Sequence, residues 1–167
     1  MALVLSGCSL TDKLTQKAGE KIGEKIIESA TNSEIDIDNN QTTINTNEGS
    51  TQWGEDVQLP ETFPEDIPIY EGAKIESTST SETDNSYYAS LVTTDNFSDI
   101  KDFYKTELES NGWTIDDEST YAGEAGQSAM FYNSKDNRDL SVGIYENFSG
   151  VEGETTITLT CTETASE

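Results

Sequence analysis

Histidine is missing from the 167-residue chain. Without imidazole it can hold no Ser/His/Asp or Cys/His nucleophilic site and no histidine-bearing zinc site. Basic residues are scarce too, 9 against 33 acids, for a formal net charge of −24. Such a chain is repelled by nucleic-acid phosphates and anionic headgroups, so no nucleic-acid partner is expected. Only two cysteines occur, Cys8 and Cys161, which excludes a framework of several disulfides. Apolar residues make up 32% of the chain, below the usual share for soluble proteins, and suffice for one modest core.

What charge there is lies unevenly. Residues 1–30 hold four lysines and four acids, whereas residues 31–167 hold 29 acids and five bases. The opening segment, Met1 to Cys8, is uncharged and apolar and ends in small residues before the cysteine. It is far shorter than the roughly 20 apolar residues of a spanning helix. Leu5-Ser6-Gly7-Cys8 resembles the lipobox of a bacterial lipoprotein signal, Leu-(small)-(Gly/Ala)-Cys. That resemblance implies lipid attachment at Cys8, removal of residues 1–7, and a chain anchored in the cell membrane and facing outside the cytoplasm. The positive segment that normally precedes such a run is lacking, so the start codon is expected further upstream. If Cys8 carries lipid, Cys161 has no disulfide partner. Its period-two spacing with Ile157 and Leu159 makes it a core-facing free thiol.

Periodicity divides the rest. Over residues 8–33, Leu14, Ala18, Ile22, Ile26 and Ala30 recur every four positions, with lysines at 13, 17, 21 and 25, predicting an anchor-proximal amphipathic helix. Residues 34–68 read as a small β-ribbon turning at Asn39-Asn40, then a strap paced by Pro60, Pro64 and Pro68. Leu59, Phe63, Ile67, Ile69 and Tyr70 make it a strap that packs. Residues 69–163 form the compact domain. Strands are expected at 73–78, 87–93, 113–117, 128–133, 140–145 and 155–162. Between the second and third lies a helix with Ile100, Phe103, Tyr104 and Leu108 on one face, capped by Asn96 or Ser98 and ended by Asn111-Gly112. The order β-β-α-β-β-β-β predicts an α+β fold, an antiparallel sheet packed against one main helix.

Three further stretches carry a resemblance: Leu59-Pro60 with Phe63-Pro64-Glu65-Asp66-Ile67-Pro68-Ile69-Tyr70-Glu71-Gly72-Ala73, Phe103 to Leu108, and Gly112-Trp113. Together they resemble a group of uncharacterised bacterial lipoproteins and exported proteins, with Glu71 where that group usually has proline. The resemblance implies a cell-envelope protein and brings no catalytic role with it.

Candidate sites are few. Tandem Tyr87-Tyr88 must send one ring to each sheet face, and with Trp53 and Tyr121 these make a possible binding surface for a protein or glycan of the envelope. Adjacent acids such as Glu65-Asp66 and Asp116-Asp117-Glu118 lack the spacing of a metal loop, so no metal ligand and no cofactor is expected. The expected function is a non-catalytic binding or structural module. The alternative is an accessory or hydrolase-like domain using a carboxylate or divalent-cation site. High-salt adaptation is another account of the acid excess.

Overall fold

The computed structural model describes residues 33–164 apart from 39, 125 and 149. The expected anchor-proximal helix and Cys8 lie outside the described residues. Nine strands, β1 (Glu34–Asp38), β2 (Gln41–Thr46), β3 (Gly49–Gly54), β4 (Lys74–Ser81), β5 (Ser86–Thr93), β6 (Thr114–Gly123), β7 (Gly126–Lys135), β8 (Arg138–Glu146) and β9 (Thr155–Glu163), surround one helix, α1 (Phe97–Ser110). All pairings are antiparallel, in the order β1-β2-β3-β4-β5-β9-β8-β7-β6. The α+β fold with one main helix on an antiparallel sheet is therefore as expected. The hairpin β1–β2 stands where the ribbon was expected, and it continues the same sheet through β3. β3 falls within the stretch expected as strap, because its glycines at 49 and 54 bracket a run with almost no apolar alternation.

Alternation sorts each strand's side chains by face. Toward α1 point Ala89 and Leu91 of β5, Ile157, Leu159 and Cys161 of β9, Leu140, Val142 and Ile144 of β8, and Ala129 and Phe131 of β7, all buried. Against them α1 lays Ile100, Tyr104 and Leu108, fully buried, so side chains fill the helix–sheet interface. Each such residue contributes about 1.5–3 kcal/mol of hydrophobic stabilisation.

Local chemistry sets the helix ends. Asn96 is the N-cap with extended backbone, but its amide bonds the Asp99 carboxylate instead of capping a backbone N–H. At the other end Trp113 N–H donates to Leu108 O and Gly112 N–H to Glu109 O, a Schellman closure that requires the left-handed backbone Gly112 supplies at φ 83°. The last turn has no base of its own. Lys135, from β7, donates instead to Asn111 O at 2.8 Å, placing a cation at the negative end of the helix dipole.

Candidate functional site

The acids that composition makes conspicuous are structural where they have partners. Asp66 accepts two bonds from Arg138, at 2.8 and 2.6 Å, and one from Lys135 at 2.6 Å, while its backbone carbonyl accepts from the Trp113 indole N–H at 3.0 Å. Arg138 stacks 5.1 Å from the centre of the Trp113 ring. Strap, helix end and β7–β8 hairpin are clamped together there. The bonds from Arg138, followed by those from Lys135, outweigh the effect of burial and hold the Asp66 carboxyl at about 2. Glu118 is likewise held below its ordinary value, by Lys101 first and then Lys105, which reach it from α1 at 2.8 and 2.7 Å. Four of the five bases beyond residue 30 are thus committed to two carboxylates. Among the described residues no group of three or more acids or cysteines can hold a metal ion. The carboxylate-site alternative therefore has no structural support.

The single thiol described, Cys161, is buried beneath the clamp, and burial pushes it up to about 11. It is a core residue, as its spacing suggested.

The sheet face turned away from α1 has a different character. Successive strands carry onto it Trp53, Ser77, Ser90, Thr158, Gly143 and Met130 in one cross-strand row, and Thr51, Ser79, Tyr88, Thr160, Ser141 and Tyr132 in the next. A third row runs Val92, Thr156, Tyr145, Ser128, Tyr121. Hydroxyls and aromatic rings dominate. Trp53 is 41%, Tyr132 46% and Tyr121 69% exposed. Within these rows Ser90, Val92 and Thr156 are buried.

Of the residues singled out in the sequence, Trp53, Tyr88 and Tyr121 share that face. Tyr87 takes the other, its ring edge-on to Phe63 of the strap at 6.1 Å. The three do not converge. β3 and β6 stand six strand spacings apart, about 29 Å along the sheet.

A cleft does form at the β6 end. Tyr121, Gln127, Ser128, Tyr145, Asn147 and Phe148 line about 330 Å³ beside Gly126 and Glu146. Tyr145 donates to the Met130 sulfur at 3.0 Å and packs 5.3 Å from Phe148, ring centre to centre. Sequence reasoning counted Tyr145 among the chain's aromatics without placing it in the binding surface, and passed over Phe148. The available signal was a glycine two residues from a tyrosine within a strand, at Gly143-Tyr145 and Tyr121-Gly123, since strand glycines mark close approach.

A family model described as START domain-like matches residues 74–159, which run from the start of β4 into β9 and cover more than half the chain. No curated protein and no solved structure matches. The family match overturns the expected membership of the lipoprotein and exported-protein group. With it go the lipoprotein, signal, palmitate and cell-envelope expectations and the location at the outer face of the cell membrane. The motifs quoted for that resemblance have a fold-level cause: Asp66, Trp113 and the strap's apolar residues fasten the strap to the domain. Among the described residues no helix is long and apolar enough to cross a membrane. A START domain-like fold accords with a ligand-binding module.

Proposed function

The chain belongs to the START domain-like family, and from that premise we propose that it is a non-catalytic module binding a protein or glycan partner on the sheet face opposite α1. One observation carries the reading: the exposed rings of Trp53, Tyr132 and Tyr121 all stand on that one face, among serine and threonine hydroxyls. Aromatic side chains with polar neighbours bind at little conformational cost, and their burial dominates contact energies. On the helix side Ile100, Tyr104 and Leu108 are buried against the sheet.

The test is an array of glycans and purified proteins probed with the intact chain and two variants. In one, Trp53, Tyr121 and Tyr132 become serine; in the other, Lys101 and Lys105 on the α1 side become serine. Ligands held by the intact chain should be lost by the first variant and kept by the second. The opposite pattern, or retention by both, places the ligand elsewhere and defeats the reading.

A further inference from the structure

The geometry points to a saccharide subsite in the cleft at the β6–β8 end of this face, where one neutral pyranose ring sits against Tyr121 and Tyr145 over Ser128. This rests on the binding role proposed for the face and names the chemistry of the ligand.

The two tyrosines lie over glycines two residues away on their own strands. A Cβ placed on Gly123 would come within 2.8 Å of the Tyr121 ring, and one on Gly143 within 2.6 Å of the Tyr145 ring. No side chain tolerates such a contact, so each ring occupies space that only a glycine leaves free. A tyrosine folded down over a glycine in this way lies along its strand, where one standing upright would project away from the sheet. Tyr121 and Tyr145 project from strands two spacings apart, about 10 Å between backbones, and Ser128 lies opposite both in register. The result is a shallow slot with aromatic sides and a small polar floor, extended by Phe148 at 71% exposure.

A pyranose is the ligand that uses every part of such a slot. Its C–H face packs on an aromatic face, and its hydroxyls need donors and acceptors at the rim. The Ser128 hydroxyl and the Gln127 side-chain amide line the cleft and make no hydrogen bond with another described residue. Glu146 is already used, its carboxylate accepting from the Gln127 backbone N–H at 3.1 Å. Charge narrows the class further. No base lines the cleft, Lys101 and Lys105 are held by Glu118 on the other face, and the chain carries −24. Uronate, sulfate and phosphate sugars would be repelled, which leaves neutral sugars.

The experiment is a titration of the full chain with neutral oligosaccharides of glucose, N-acetylglucosamine, mannose and xylose. It is followed by calorimetry and by the aromatic NMR signals of Tyr121, Tyr145 and Phe148. At least one series should shift those three signals. Tyr121→Ala should weaken binding by about tenfold, as should Gly123→Ala, which lifts the Tyr121 ring from its seat without removing it. Lys105→Gln, on the α1 side of the sheet, should leave the affinity unchanged. No response to any of the four series overturns the subsite, and so does binding that Tyr121→Ala leaves intact. A ligand that perturbs Trp53 or Tyr88 while the cleft rings stay silent refutes the saccharide subsite yet upholds the binding role of the face. Response to tetramethylammonium at these rings, with none to sugars, refutes it as well.

Discussion

Asp66 binds a guanidinium through two parallel bonds and an ammonium through a third, so its removal leaves Arg138 and Lys135 facing each other over Trp113 without a counter-charge. The side chain keeps about a quarter of its surface in water, which places the cost of Asp66→Asn between that of exposed and buried pairs, about 2 kcal/mol. Its pH dependence has a definite sign. The partners lower the folded value to about 2, so the contribution is complete above the unfolded value near 4 and disappears as pH falls through 2. Thermal melts of parent and variant should differ most at neutral pH and draw together toward pH 2; a gap independent of pH would show that shape, and not charge, holds the strap. The sequence offered Asp66 as half of an adjacent acid pair and as part of the strap motif, with no sign of its partners. Its partners lie 69 and 72 residues away, and nothing local indicates which acid a scarce base will meet. Cys161 was legible, because its own strand's alternation places it.

At the scale of elements, periodicity did well wherever one face is dry. α1 and the strands around it announce themselves through apolar residues at helical or alternate spacing, and the turn at Asn111-Gly112 through its backbone requirement. It did poorly at the margins. β3 has hydroxyl and amide side chains where a core strand has aliphatics, and β6 runs on to Gly123, past the expected end at 117, as an exposed edge. The cleft was half legible, since Tyr121 stood out and its partners across the sheet did not. Gly143 gives this scale its prediction. Gly143→Ala drives a methyl into the Tyr145 ring and the Thr158 hydroxyl, each within 2.6 Å of the new Cβ. The ring can swing away, so the cost should fall at the low end of overpacking, about 1–2 kcal/mol. Chemical denaturation measures that cost. NMR should show Tyr145 displaced from Met130, and a variant as stable as the parent with its ring unmoved would contradict the packing described.

For the molecule as a whole, charge and fold pull against each other. Lys101, Lys105, Lys135 and Arg138 pair with just two acids, Asp66 and Glu118, while the chain as a whole carries −24. Salt weakens the few attractions and the many repulsions alike, and the repulsions are more numerous. Raising ionic strength from about 0.01 M to about 1 M shortens the screening length from ~30 to ~3 Å. It should raise the melting temperature by about 2–4 °C, the equivalent of about 1 kcal/mol for a chain of this size. A fall would mean that the two ion-paired clusters outweigh the rest. The net charge was plain in the composition; that four of the five described bases gather at two points was not.

The strand order also governs when the sheet can be completed during synthesis. β1 to β5 form one meander and β6 to β9 another, and the two join only where β9 pairs with β5. β9 leaves the ribosome after every other described strand. At roughly 5–20 residues per second, the β5 edge therefore waits several seconds for its neighbour, with α1 already made but lacking half the surface it covers. During that interval β5, with Ala89, Leu91 and Val92 among its residues, is the strand most open to capture by another nascent chain. Its safeguard is the acidic chain around it, which keeps such copies apart.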